Sequence, residues 1–285
     1  MPIAEIRGGE VYYEILGESG PLIVLTPGGR FSIEIPGLRP LAEALVAGGH
    51  RVLLWDRPNC GRSEVAFWGP TESHMRAEVL HDLLVHLDTG PVIIAGGSGG
   101  ARDSILTAML YPEIATKLIV WNIVGGNYGL IALGSHYIIP NITAAKIKGI
   151  EGLIELPEWQ ERIQDNPKNM DRLLALDAEE FQAQMLRWLD AYVPKPGQTI
   201  PGVTDYEFSK LRIPTLIIRG GEHDIDHPKR TSMEVHCLIE GSVLIDPPWP
   251  EDAWQQGQKA RARGEGNIFD TWVLAAPAIL DFVRQ

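Results

Sequence analysis

The sequence predicts an α/β protein, a mostly parallel central sheet flanked by helices, with an inserted, mainly helical cap. Two observations carry this. Short β-branched runs alternate with stretches of helical spacing in the first half of the chain and again near its end, and that βαβ rhythm builds a parallel sheet covered on both faces. Between residues 125 and 211 the rhythm lapses. A chain of 285 residues, 45% of them hydrophobic, has the material for one large core of this kind.

In order, residues 10–15 and 22–26 read as strands, 38–47 as a helix and 51–55 as a third strand. A helix follows over 72–87. Residues 92–95 are strand material, 101–111 place Ile105, Ala108 and Met109 at helical spacing before Pro112, and 117–124 form the next strand. Beyond it, residues 128–142 (YGLIALGSHYIIPNI) read as an apolar loop and 177–192 as an amphipathic helix. Strand rhythm resumes over 215–219 and 242–245, and 268–283 supply a last helix. The expected division is therefore a core of residues 1–124 and 212–285 with a cap of residues 125–211.

Composition narrows the partners. Thirty-seven acidic against 25 basic residues give a formal charge of -12, which disfavours a polyanion because nucleic-acid binding begins with neutralisation of phosphate. The first ten residues lack an apolar signal core and no run approaches the length of a membrane span, so the expectation is a cytoplasmic protein without membrane association. Cys60 and Cys237 stand outside any metal-ligand spacing, so neither a disulfide framework, a metal nor a cofactor is expected. The expected partner is a small-molecule substrate, with a homodimer open.

The chemistry centres on residues 92–100, VIIAGGSGG. A β-branched run ends in four glycines that hold one serine, Ser98, and a helix follows. Glycine supplies backbone angles that a Cβ disfavours, and strand, tight turn and helix are the setting of a G-x-S-x-G nucleophile elbow. The plainer alternative is a serine that only caps the helix.

With that elbow the chain resembles a cap-bearing α/β-hydrolase, over nearly its whole length. The resemblance implies an oxyanion hole from Gly29, in LTPGGR (25–30), and Gly99, the residue after the nucleophile. WDRPNCGRS (55–63) is similar to the family's D-x-R-G-x-G-x-S loop, altered by Pro58 and Cys60. In TLIIRGGEHDIDH (215–227), Asp224 stands where the family's acid stands.

The family's histidine is missing. No histidine follows His236, and SVLIDPPWPEDAW (242–254) puts Trp249 and prolines where the base belongs. A serine hydroxyl is a weak nucleophile without a base. His227, on the Asp224 loop, is the first candidate, His136 and His223 are alternatives, and a site without a histidine base remains open. Arg30, His136, Tyr137, Trp188 and Trp249 are the expected substrate-binding residues, and Arg30 and Arg102 are candidates to receive a carboxylate or stabilise an enolate. The resulting expectation is a hydrolase of a small, mostly apolar or aromatic carbonyl substrate (an ester, a lactone or a carbon–carbon bond next to a ketone) acting through Ser98. The alternatives are a lyase, isomerase or cofactor-free proton transfer on the same fold, or a ligand-binding protein without catalysis.

Overall fold

Strands buried on both faces must be apolar throughout, and LIVLT (22–26) and the VIIA run before Ser98 meet that demand. In the computed structural model, which describes residues 2–285, these are β3 and β5 at the centre of an eight-stranded sheet. The first part of the chain gives β1 (Ile3–Ile6), β2 (Gly9–Leu16), β3 (Leu22–Thr26), α1 (Leu38–Ala47), β4 (Arg51–Trp55) and α2 (Glu72–His86). It continues with β5 (Val92–Gly97), α3 (Gly99–Leu110) and β6 (Ala115–Trp121). Helices follow: α4 (Gly126–Tyr137), α5 (Ile139–Ile154), α6 (Pro157–Asp165), α7 (Lys168–Leu174), α8 (Ala178–Ala191) and α9 (Asp205–Phe208). The chain then returns to the sheet with β7 (Thr215–Ile218), α10 (Lys229–Leu238), β8 (Val243–Ile245), α11 (Ala253–Ala262) and α12 (Ala276–Val283).

The sheet order is β1-β2-β4-β3-β5-β6-β7-β8. Only the β1–β2 and β2–β4 pairs are antiparallel; the others are parallel. Two apolar clusters fill the opposite faces of the sheet, one around Val24, Leu53, Ile94 and Ile105, the other around Ile23, Leu54, Ile119 and Trp272. A third, with Trp159, Phe181, Met185 and Trp188, belongs mainly to the helices between β6 and β7. Among the described residues no helix is long and apolar enough to cross a membrane.

Three expectations need correction. Residues 128–142 are helical, forming most of α4 and the start of α5. The apolar residues of α4 surround the helix, with Tyr128 and Ile131 exposed and Leu130 buried, so no 3.6-residue stripe marks it. Gly129 is needed there because a Cβ would lie 2.8 Å from the Asp226 carbonyl oxygen. The last helix is also not continuous: Asp270–Ala275 is a 3₁₀ turn, and α12 starts afresh with Pro277 in its first turn, where proline is tolerated. Edge strand β1 and helices α10 and α11 add to the expected elements; β1 is only four residues long and α11 follows a proline-rich stretch, so neither of these two carries a strong local signal.

Candidate active site

The elbow accounts for its own glycines. Ser98, between β5 and α3, sits at φ 54°, ψ -126°, a region sparsely used by residues with a side chain. A Cβ on Gly96 would lie 2.5 Å from the Gly100 carbonyl oxygen, and one on Gly100 would lie 2.2 Å from that of Thr26. The turn closes only when both positions lack side chains. Its tip carries Ser98 into a cavity of about 620 Å³.

The loop after β7 brings the other two groups. Asp224 Oδ1 accepts the backbone N–H groups of Asp226 and His227, each at 3.0 Å, so the carboxylate shapes its own loop. Its Oδ2 lies 2.9 Å from His227 Nδ1, and His227 Nε2 lies 2.9 Å from Ser98 Oγ. An ionised carboxylate only accepts, so Nδ1 carries the imidazole proton and Nε2 presents its lone pair to the serine hydroxyl. All three side chains are buried.

This loop is held from three sides. A Cβ on Gly220 would stand 2.0 Å from the His227 carbonyl oxygen, so only glycine lets the chain leaving β7 pass the histidine so closely. Arg219 pairs with Glu251 at 2.6 Å, and Glu251 also accepts the Glu222 N–H at 2.7 Å, tying the segment after β8 to the loop after β7. From α11, the Trp254 ring meets the His227 ring edge to face, centroids 4.3 Å apart, while its Nε1–H donates to Asp226 Oδ2 at 2.7 Å. The region where the resemblance placed a histidine thus supplies an aromatic wall behind a histidine that comes from elsewhere.

Gly29 and Gly99 are neighbours. The Gly29 nitrogen lies 2.9 Å from where a Cβ on Gly99 would sit, and Gly99 opens α3, so its N–H has no partner within the helix. Both glycines and Ser98 line a second, inner cavity of about 30 Å³. Arg102 borders it, its Nε–H donating to Ser73 Oγ at 2.7 Å and its Nη2–H to the Tyr192 hydroxyl at 2.8 Å. Among the described residues no carboxylate lies within ion-pair distance of this buried guanidinium. Arg30, by contrast, bridges Glu72 at 3.1 Å and Glu158 at 3.0 Å. Burial opposes ionisation of Glu72, but Arg30 and Arg76 outweigh it and hold its pKa down to about 2.

Ser98, Gly29, Arg30, His136, Tyr137 and His227 border the larger cavity, and Gly99 the inner one. His136 is exposed and packs on the Tyr137 ring, and His223 is exposed with only its carbonyl engaged by Gln255. Neither approaches the serine as His227 does. Two expected substrate contacts are absent. Trp188 is fully buried among the inserted helices, donating to the Gly69 carbonyl oxygen at 3.3 Å, and Trp249 is buried in the sheet's core cluster. The aromatic lining comes from Tyr137 and Trp159 of the inserted helices together with Phe31, Trp254 and Phe269. Phe31 adjoins Arg30 in sequence, which is a local signal; Phe269 and Trp254 reach the cavity only through the fold. The altered loop 55–63 is closed by Asp56, which accepts the Ile33 and Arg62 N–H groups at 2.7 and 2.9 Å. Among the described residues no group of three or more metal-ligating side chains occurs.

Residues 23–266 match the alpha/beta hydrolase family. The chain belongs to that family. Among its relatives, this alpha/beta hydrolase is 28% identical over 264 residues to 2-hydroxy-6-oxononadienedioate/2-hydroxy-6-oxononatrienedioate hydrolase 2 of Pseudomonas putida, covering 85% of this chain and 86% of that protein. Solved structures that share its fold include two hydrolases. The enol-lactonase from Burkholderia xenovorans LB400 superposes with a TM-score of 0.63 at 19% identity, over 100% of both chains. A meta-cleavage product hydrolase from Pseudomonas fluorescens IP01 gives 0.63 at 18% identity, over 100% of this chain and 97% of the other.

Proposed function

We propose that this alpha/beta hydrolase is a serine hydrolase that cleaves an ester, a lactone or a carbon–carbon bond next to a ketone in a small, mostly apolar or aromatic carbonyl substrate. The observation that carries the reading is the unbroken Asp224–His227–Ser98 relay at the wall of an aromatic-lined cavity. A serine oxygen hydrogen-bonded to a carboxylate-oriented imidazole is the arrangement that acyl transfer requires, and it supports hydrolysis over the lyase, isomerase and binding alternatives. Ser98 Oγ attacks the carbonyl carbon while His227 Nε2 takes its proton, and Asp224 stabilises the imidazolium. The Gly29 and Gly99 N–H groups receive the oxyanion, each worth a few kcal/mol of barrier. On collapse His227 returns the proton to the leaving alcohol, or to the leaving enolate if a carbon–carbon bond breaks, and water then releases the acyl group by the same path.

Arg102 sharpens the substrate class. Its guanidinium, buried at the inner cavity on Ser73 and Tyr192 with no carboxylate in direct contact, is placed to receive a negative group on the substrate. The Pseudomonas putida relative is named for an oxo-dioate, which is consistent with an acidic substrate here. The test is Ser98→Ala assayed on a panel of aryl esters, enol lactones and vinylogous diketones with and without a carboxylate. Turnover of the best substrate should fall by at least about 10³-fold; undiminished turnover refutes the proposal.

A further inference from the structure

Tyr137, the last residue of α4, lines both cavities, as do Ser98 and Gly29. Its hydroxyl oxygen accepts the Arg30 N–H at 3.3 Å, and its own proton reaches no acceptor among the described residues. The hydroxyl stands directly over the oxyanion loop: a Cβ on Gly29 would lie 2.6 Å from it. The Arg30 guanidinium lies 5.1 Å from the ring centroid, fixing the ring's position. A phenol whose oxygen is engaged by the backbone of the oxyanion loop, and whose proton is uncommitted, has one direction of use left, toward what enters the cavity.

We infer that Tyr137 is a third donor to the oxyanion, delivered by the helices inserted between β6 and β7, so that the Gly29 and Gly99 N–H groups are completed by a side-chain O–H. The inference rests on the proposed hydrolysis through Ser98. Burial pushes the Tyr137 phenol above its ordinary pKa despite the Arg30 contacts, so the proton stays on the oxygen and is shared, not transferred. Atom balance is that of a hydrogen bond alone. The donor also gives those helices a direct part in the chemistry, because moving α4 away removes one of three donors.

The alternative is that Tyr137 only holds α4 against the loop. Tyr137→Phe separates the two, since it keeps the ring and its packing and deletes only the O–H. With the best aryl ester, kcat should fall about 10²-fold, the effect of removing one side-chain oxyanion donor, with KM changed less than threefold. Affinity for a trifluoromethyl ketone, which forms a hemiketal with Ser98, should fall by the same factor as kcat/KM, because only interactions specific to the transition state track in that way. A kcat within threefold of the parent enzyme, or a lowered kcat with unchanged trifluoromethyl ketone affinity, overturns the role. Ser98→Ala in parallel keeps the two readings apart: if it is active, the hydrolase proposal itself falls and Tyr137 loses its oxyanion with it.

Discussion

Asp224→Asn isolates the carboxylate's charge from its shape. In the parent, Oδ1 accepts two backbone N–H groups at 3.0 Å and Oδ2 faces His227 Nδ1 at 2.9 Å. The asparagine amide keeps its oxygen on the two backbone donors, so its NH₂ must face Nδ1. Two donors cannot share that contact, and the imidazole shifts its proton to Nε2, pointing N–H at the Ser98 hydroxyl it should deprotonate. A wrong-tautomer histidine in a serine triad lowers turnover by about 10⁴, which at about 1.36 kcal/mol per decade is roughly 5.4 kcal/mol of barrier. The fold loses little, because the backbone bonds survive. A change within about 1 kcal/mol moves Tm by about 2–4 °C in a domain of this size. Asp224→Ala instead strands buried N–H groups, each costing about 1–3 kcal/mol, and should unfold markedly earlier. Steady-state hydrolysis of an aryl ester, with melting followed by circular dichroism, reads both quantities. An Asp224→Asn enzyme retaining more than about a tenth of parental kcat/KM at an unchanged Tm refutes the tautomer argument.

Other consequences follow from the same contacts. Ser98→Gly should abolish activity yet raise stability by about 1 kcal/mol in urea unfolding, since glycine adopts φ 54° without the strain a side chain stores there. Gly220→Ala, with its Cβ 2.0 Å from the His227 carbonyl oxygen, should displace the loop, costing about 1–3 kcal/mol of stability and at least about 10²-fold in turnover. Glu72, depressed from 4.5 to about 2, contributes stability present above pH 4.5 and lost as pH falls toward 2. Glu72→Gln should therefore flatten the acid limb of stability against pH while lowering stability at pH 7 by about 3 kcal/mol, because Arg30 and Arg76 lose the carboxylate they share and keep only Glu158 and Asp103.

What is legible in the sequence is what local chemistry dictates. The elbow can be read because four glycines around one serine, between a strand and a helix, meet the steric demand of a strained nucleophile turn, and the βαβ rhythm because buried strands are apolar along their whole length. The histidine is harder. Asp224 and His227 stand three apart in one short loop, and the sequence shows that proximity but not that Oδ1 turns the loop inward by binding the N–H groups of residues 226 and 227. Among the inserted helices α4 is hidden, because its glycines and all-round apolar residues mimic a loop. Trp188 and Trp254 show the same limit from opposite sides, since an indole reads alike whether it is packed beneath Gly69 or set against the His227 imidazole.

The claim that His227 serves Ser98 is tested most directly by the rate at which a fluorophosphonate labels the serine in the parent enzyme and in His227→Gln, with the modified peptide identified by mass spectrometry. With Nε2 2.9 Å from Oγ, the parent should take one label per chain on Ser98, and the variant should react at least about 10³-fold more slowly at an unchanged Tm. Labelling of Ser98 in His227→Gln at a rate within tenfold of the parent would contradict the account.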